Sequence, residues 1–330
     1  MKGLETGSPT PDRINRGQAL RGRLGWGGAT LSRFLGGDVF YSFKQSPLVM
    51  VAAAVTLICI LAAVFAGLVA PHNPFDLKTL NLLDAFTPPA WSDRGNPSYF
   101  LGTDDQGRDV LSTIMYGARM SLLVGLIATL LAMVFGVTLG LLSGYIGGKV
   151  DAFIMRVADI QLSFPAILIA LLVDGLARAA LPKELHDQLA IYVLILAIAA
   201  SGWVRYARTV RGSTLVERNK EYVQAARVIG RHPIAIMFTH VLPNALGPVL
   251  VLVTLHISEA IITEATLSFL GVGVPPTQPS LGTLIRIGND FLFSGEWWIT
   301  VFPGAALVML VLAINVVGDW LRDALNPKLR

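Results

Sequence analysis

Two carboxylates, Glu259 and Glu264, stand inside an apolar run that extends from Val241 to Phe269. A charged group at the centre of a bilayer costs roughly 2.5–3.5 kcal/mol on insertion scales, so it faces a cavity or a partner rather than lipid. Their separation on a helix is expected to place both acids near one face. Two readings stand: they line a solute path, close to a solute's amino group, or they hydrogen-bond a neighbouring helix or another subunit. Arg156 and Asp159 are three apart, which permits a local ion pair, either as a simple interfacial pair or as part of a gate. His240 and His256 are far apart with no third ligand beside them, whereas a structural zinc site takes four. His72, His186 and His232 are expected in loops, with no metal-like spacing. Gly102–Asp109 contains Asp104, Asp105 and Asp109 but lacks the ligand pattern of a calcium loop. No Ser/His/Asp or paired-carboxylate arrangement reads as catalytic. No Gly-x-x-x-x-Gly-Lys-Ser/Thr phosphate loop is present, so the chain is not expected to hydrolyse nucleotide or to hold a cofactor of its own.

The elements that position these residues are membrane spans. The 330 residues are 53% hydrophobic and only 15% charged, against about 25% charged in a soluble domain. Leu48–Ala70 is uncharged and long enough, at 1.5 Å rise per residue, to cross about 30 Å of hydrocarbon. It starts too far from Met1, and is too long, for the apolar core of a cleaved signal peptide. Further runs follow at Ser121–Tyr145, Val150–Val173, Leu189–Val204, Val241–Phe269 and Trp298–Val317. Pro165 is expected to kink the third, while Pro243 and Pro248 break the fifth near its start and Pro303 lies near the start of the sixth. Such breaks are tolerated where neighbouring helices re-satisfy the freed backbone groups. The single cysteine, Cys59, lies inside the first run and excludes an internal disulfide. The expected organisation is a tail (1–46), a first span (47–70), an outer loop (71–116), a five-helix core (117–320) and a second tail (321–330). The fold class is all-α with six spans. The first tail is expected to be mostly flexible, with a helical period only from Val39–Phe43 and with its end lying along the membrane surface.

Loop charge sets the orientation, because cytoplasmic loops collect Lys and Arg. The first tail carries Lys2, Arg13, Arg16, Arg21, Arg23, Arg33 and Lys44. The connection between the fourth and fifth runs carries Arg205, Arg208, Arg211, Arg218, Lys220, Arg227 and Arg231, and the C-terminus Arg322, Lys328 and Arg330. The 71–116 loop has Lys78, Arg94 and Arg108 against Asp76, Asp84, Asp93, Asp104, Asp105 and Asp109. Both termini and the 4–5 connection are therefore expected in the cytoplasm and the acidic loop outside, with Trp297 and Trp298 in the outer aromatic belt and Trp320 in the inner one.

The 4–5 connection has a pattern of its own. Asn219 is placed to cap a helix with Glu221 in its first turn, where the positive end of the helix favours an acid. Tyr222, Val223, Ala226 and Ile229 recur at helical spacing. Gly230 supplies the stop, and Pro233 opens a second short helix towards His240. A pair of short amphipathic helices on the inner face needs a partner, and the small Ala225 and Ala226 let one approach closely.

Gln224-Ala225-Ala226, then Gly230, then Leu242-Pro243, resembles the conserved cytoplasmic loop of ABC importer permeases of the type I class. The chain departs from that family at Gln224, where Glu is frequent, and at His240, where an aliphatic residue is usual; Glu221 is placed to supply the acid one turn earlier. Leu101–Asp109, Tyr116–Leu122, Glu264-Ala265 with Ser268–Gly271, Trp297-Trp298 and Gly318–Lys328 resemble the dipeptide/oligopeptide group, and its C-type subunit in particular. These blocks run in order from about residue 100 to the C-terminus.

The resemblance implies that residues 211–243 form a coupling loop docking on an ATPase through Glu221, Gln224, Ala225, Ala226, Gly230, Leu242 and Pro243. Glu259 and Glu264, from their place in the fifth run, are the candidate residues of the translocation path. The implied partners are a homologous B-type permease subunit, two ABC ATPase subunits that bind the ATP and Mg, and a periplasmic or lipid-anchored solute-binding protein. The turn-rich Gly102–Asp109 loop is expected either to help seat that binding protein or to be a purely structural outer element. Membrane lipid surrounds the chain, and no nucleic acid is involved. The implied location is the bacterial cytoplasmic (inner) membrane, as a multi-pass protein. The same machinery carrying nickel, glutathione, opines or a peptide antibiotic remains an alternative. So, more distantly, does an ion-coupled secondary carrier, which would explain Glu259 but leave the 4–5 connection without a purpose.

Overall fold

The computed structural model describes residues 38–76 and 80–325. The expectations for Lys2 to Arg33, for Lys78 and for Pro327 to Arg330 lie outside them. The chain divides into two units, Met1–Pro47 and Leu48–Arg330. In the first, the described part is helix α1 (Asp38–Gln45), where the helical period begins in the sequence.

The second unit is mainly helical, with an irregular segment between residues 70 and 109, and no strand occurs among its described residues. Its main helices are α2 (Pro47–Val64), α3 (Val110–Ile146), α4 (Gly148–Leu162), α5 (Ala166–Ala180), α6 (Lys183–Glu217), α7 (Glu221–Val228), α8 (Pro233–Ile236), α9 (Gly247–Phe269), α10 (Leu281–Asn289) and α11 (Trp298–Leu325), with single turns at Ala66–Val69 and Leu242–Ala245. Five of them, α2, α3, α6, α9 and α11, are long and apolar enough to cross a membrane. The pair α4 and α5 makes a sixth span if taken as one, bent by 98° at its break. The break is at Ser163–Pro165, where Pro165 lacks the N–H that a continuous helix needs.

Three boundaries differ from the sequence expectation. Helix α3 starts at Val110, well before its uncharged run, because Asp109 caps it by accepting from Ser112 N at 2.9 Å. Helix α6 begins at Lys183, so His186 is helical; its Nε2 lies 2.9 Å from Leu181 O. The same helix continues to Glu217, so Arg205, Arg208 and Arg211 belong to it rather than to a loop. Each of the three is neutralised across a helix interface. Arg211 Nε and Nη2 reach Asp151 at 2.5 and 2.7 Å, and Arg208 Nη2 reaches Asp159 at 2.5 Å. Arg205 pairs with Glu259. Asp159 therefore bonds across to Arg208, not to Arg156 on its own helix.

Helices α3 and α6 form the centre of the bundle, and their closeness depends on glycine. A Cβ on Gly136 would lie 2.4 Å from Trp203 O, one on Gly140 2.4 Å from Ala207 O, and one on Gly144 2.7 Å from Thr214 Cβ. Small residues at every fourth position let membrane helices pack backbone to backbone. Gln161 ties α4 to the same helix: its Nε2 donates to Ala200 O at 2.7 Å, and its Oε1 accepts from Trp203 Nε1 at 2.8 Å. At the α11 end, Trp298 is buried and donates to Thr103 O at 3.0 Å. It fastens the 71–109 loop rather than standing in an aromatic belt, while Trp297 beside it is exposed.

Candidate functional site: the loop between α6 and α9

The segment after α6 is a short helical hairpin held on its own bundle. Helix α7 starts after Lys220, whose backbone is extended and makes no side-chain cap; Asn219 Nδ2 instead donates back to Leu215 O at 3.1 Å. The anchor at this end is Glu217. Its carboxylate takes Lys220 Nζ at 2.6 Å and the Tyr222 hydroxyl, and Asn244 Nδ2 donates to the Tyr222 oxygen at 3.2 Å. Burial and the Glu217 carboxylate both push the Tyr222 phenol above its ordinary value. The far end of α7 closes in a Schellman turn. Gly230 has φ +77°, Gly230 N donates to Arg227 O at 3.0 Å, and Arg231 N donates to Ala226 O at 3.1 Å. The positive φ is the reason for glycine there. Pro233 then occupies the first turn of α8, where its missing N–H costs nothing, and a wider π-type turn, Met237–Val241, leads on towards α9.

Packing decides which residues of this hairpin are available. Val223 and Ala226 are buried with Ile236, Met237 and Val241 against Tyr206 and Val210 of α6. Ala226 is therefore part of this chain's own core and not a platform for a partner. Glu221, Gln224, Ala225, Gly230 and Pro243 are exposed, and Leu242 is half-buried. Ile229, which the helical spacing placed with Val223 and Ala226, points outward instead, because α7 ends at Val228 and the chain turns. Val228 is 89% exposed and Ile229 82%, with Ile234 and Phe238 exposed beside them in the sequence. Sequence reasoning missed Val228, and the signal that finds it is the position of the Gly230 stop. Two further contacts bind the hairpin to the end of α3: Arg218 Nη1 donates to Gly144 O at 2.7 Å, and the Arg227 guanidinium lies 5.3 Å from the Tyr145 ring centroid.

The two intramembrane acids have different surroundings. Five residues on a helix correspond to a rotation of about 140° past one full turn, so Glu259 and Glu264 do not share a face as expected. Glu264 is fully enclosed. It accepts from Ser121 Oγ of α3 and Ser268 Oγ, both at 2.7 Å, and Ser121 Oγ in turn accepts from Leu281 N of α10 at 3.3 Å. It joins three helices and lines no open surface of this chain. Replacing Glu264 with alanine is expected to leave these hydroxyls short of a partner beside a new cavity. The expected destabilisation is about 2–4 kcal/mol, read as a lowered thermal midpoint of the purified protein, with Glu264→Gln milder. Glu259, in contrast, is half-exposed and held by Arg205 of α6. His256, one turn before Glu259, is buried with Nδ1 3.0 Å from the Tyr206 hydroxyl.

Comparison with known proteins shows the family. Residues 136–330 match the family described as binding-protein-dependent transport system inner membrane component, and residues 35–89 match the N-terminal TM domain of oligopeptide transport permease C. The dipeptide transport system permease protein DppC of Haemophilus influenzae is 40% identical over 89% of this chain and 95% of its own length. The oligopeptide transport system permease protein OppC of Bacillus subtilis is 38% identical over 89% of this chain and 90% of its own. DppC of Escherichia coli K12 is 41% identical over 89% and 93%. Among solved structures, a chain of the inward-facing MetNI methionine ABC transporter superposes with a TM-score of 0.50 at 18% identity, covering 65% of this chain and 96% of that one. This supports the type I importer permease fold. The chain belongs to the binding-protein-dependent transport system inner membrane component family, as a DppC/OppC-like ABC permease subunit of the inner membrane, a multi-pass membrane component with no catalytic site of its own.

Proposed function

We propose that this chain is the C-type permease of an ATP-driven, binding-protein-dependent importer of dipeptides and oligopeptides. The relatives named above support the cargo. The observation that carries the ATP-driven part is the α7–α8 hairpin: it is anchored from below by Glu217, Arg218 and Arg227, and presents exposed Val228 and Ile229 at its turn. An apolar tip on a clamped support is suited to insert into a cleft of another protein and to transmit force back into α3 and α6.

In this reading both termini and the hairpin face the cytoplasm, and the 71–116 loop faces outward towards a solute-binding protein. Two ATPase subunits bind ATP and Mg and close on the hairpins of this chain and of a homologous B-type subunit. Closure turns the pair from inward-open to outward-open, the solute enters, and hydrolysis resets them. Glu221, Gln224, Ala225, Gly230, Leu242 and Pro243 belong to the docking region, with Ala226 supporting it from inside. The path runs along the face of α9 that carries Glu259.

Gly230 offers a direct test. A Cβ there meets nothing within 4 Å, so the cost of Gly230→Leu is the left-handed backbone, about 1–2 kcal/mol, and it falls on the turn alone. The bundle is expected to stay inserted while ATP-driven uptake falls at least tenfold and the ATPase subunits are lost on purification. Unchanged uptake and unchanged recovery of the ATPases would remove the hairpin from the coupling role. Uptake blocked by uncouplers but not by vanadate would favour an ion-coupled carrier.

A further inference from the structure

Three arginines on α6, each one turn from the next, are paired with acids, but the pairs differ in depth and exposure. Arg211–Asp151 is the most enclosed of them, with Ser143 also bonded to Asp151. Arg205 follows directly on the apolar run Leu189–Val204 of α6, and its partner Glu259 lies near the middle of the apolar helix α9. Arg205 Nη2 is 2.5 Å from Glu259 Oε1, a second contact joins Nη1 to Oε2, and among the described residues neither side chain makes another hydrogen bond. Yet Arg205 is 50% exposed and Glu259 42%. The next pair along α6, Arg208–Asp159, is about equally exposed. A strip of open ion pairs that begins where the apolar run of α6 ends, against the middle of α9, does not face acyl chains. It faces water or another protein.

We propose that Arg205–Glu259 is an exchange site for a zwitterionic solute on the translocation path, an inference that rests on the peptide-importer reading above. The pair opens, the guanidinium takes the solute's carboxylate, and the Glu259 carboxylate takes its ammonium. One ion pair is replaced by two, so no charge is left bare at either stage. When the path is empty the two side chains satisfy each other, which removes the main cost of keeping single charges within the membrane. The site reads a free amino and a free carboxyl terminus and is indifferent to the side chains between them, as a carrier of many short peptides requires. A guanidinium suits this role because its fork presents paired donors to a carboxylate. Glu259 alone explains recognition of an amine; with Arg205 the site selects a dipolar solute.

The test uses the complete importer in lipid nanodiscs without its binding protein, with radiolabelled dialanine as the probe. N-acetyl-dialanine and dialanine amide serve as competitors. Unlabelled dialanine is expected to displace the label at least tenfold better than either blocked peptide. Arg205→Gln/Glu259→Gln, which leaves no unpaired charge, is expected to assemble and to lose dialanine binding at least tenfold. The exchanged pair Arg205→Glu/Glu259→Arg is expected to recover it. Equal competition by the blocked peptides, or unchanged binding in the double Gln variant, would overturn the proposal. Failure of both the double Gln and the exchanged variants to assemble would also overturn it, by making the pair a subunit contact. In each of these cases ATP-driven dialanine uptake by the unaltered importer would continue. Absence of that uptake would instead remove the peptide-importer reading and this inference with it.

Discussion

Gly140→Leu is expected to abolish the folded permease. A Cβ at that position lies 2.4 Å from Ala207 O and 2.9 Å from Ala207 Cα. Both are backbone atoms of a long helix, so no side chain can rotate away. Relief requires α3 and α6 to separate, which breaks the matching contacts at Gly136 and Gly144 and the Arg218 bond to Gly144 O. Overpacking a close interface typically costs about 1–3 kcal/mol where side chains yield; a backbone-on-backbone clash at the centre of the bundle is expected to exceed that. The measurement is size-exclusion of a fluorescently tagged protein in mild detergent. A monodisperse peak should disappear for Gly140→Leu and persist, at reduced height, for Gly140→Ala. A normal peak for the Leu variant would mean that α3 and α6 are not packed as described.

The double substitution Val228→Asp/Ile229→Asp is expected to do the reverse, leaving the fold intact while removing transport. Both side chains are more than four-fifths exposed, and surface changes away from caps and cores usually stay within about 0.5 kcal/mol. In a docked complex the same two positions would bury two carboxylates in an apolar contact, which is strongly unfavourable without partners. Uptake is expected to fall at least a hundredfold, and the thermal midpoint of the isolated subunit to shift little. Near-normal uptake would mean that the hairpin tip is not what the ATPase holds.

The spans were legible because apolar runs of sufficient length are a direct consequence of the bilayer. The break at Pro165 was legible because proline has one local effect. The Gly230 turn was legible because a left-handed position after a helix selects glycine. What local patterns missed depended on contacts between distant residues. Arg205, Arg208 and Arg211 read as loop charge, since only the folded bundle brings Glu259, Asp159 and Asp151 to neutralise them. Asp159 and Arg156 suited each other by spacing, but a guanidinium on α6 stood closer. Trp298 reads as an interfacial residue from its neighbours in sequence, whereas in the folded chain its N–H donates to Thr103 O. In the candidate site, helical spacing found Val223 and Ala226 as one face but could not say that the face turns inward onto Tyr206. The outward Val228 and Ile229 follow only once α7 is seen to stop.

In the proposed function this chain works as one part of an ATP-driven assembly, and purification from the native membrane tests that most directly. The chain would be tagged, extracted gently, and its companions identified by mass spectrometry. The expected result is a homologous permease subunit together with ATPases that carry the phosphate-loop motif. Recovery of this chain alone, stable as a monomer or homodimer and active in uptake without nucleotide, would contradict it.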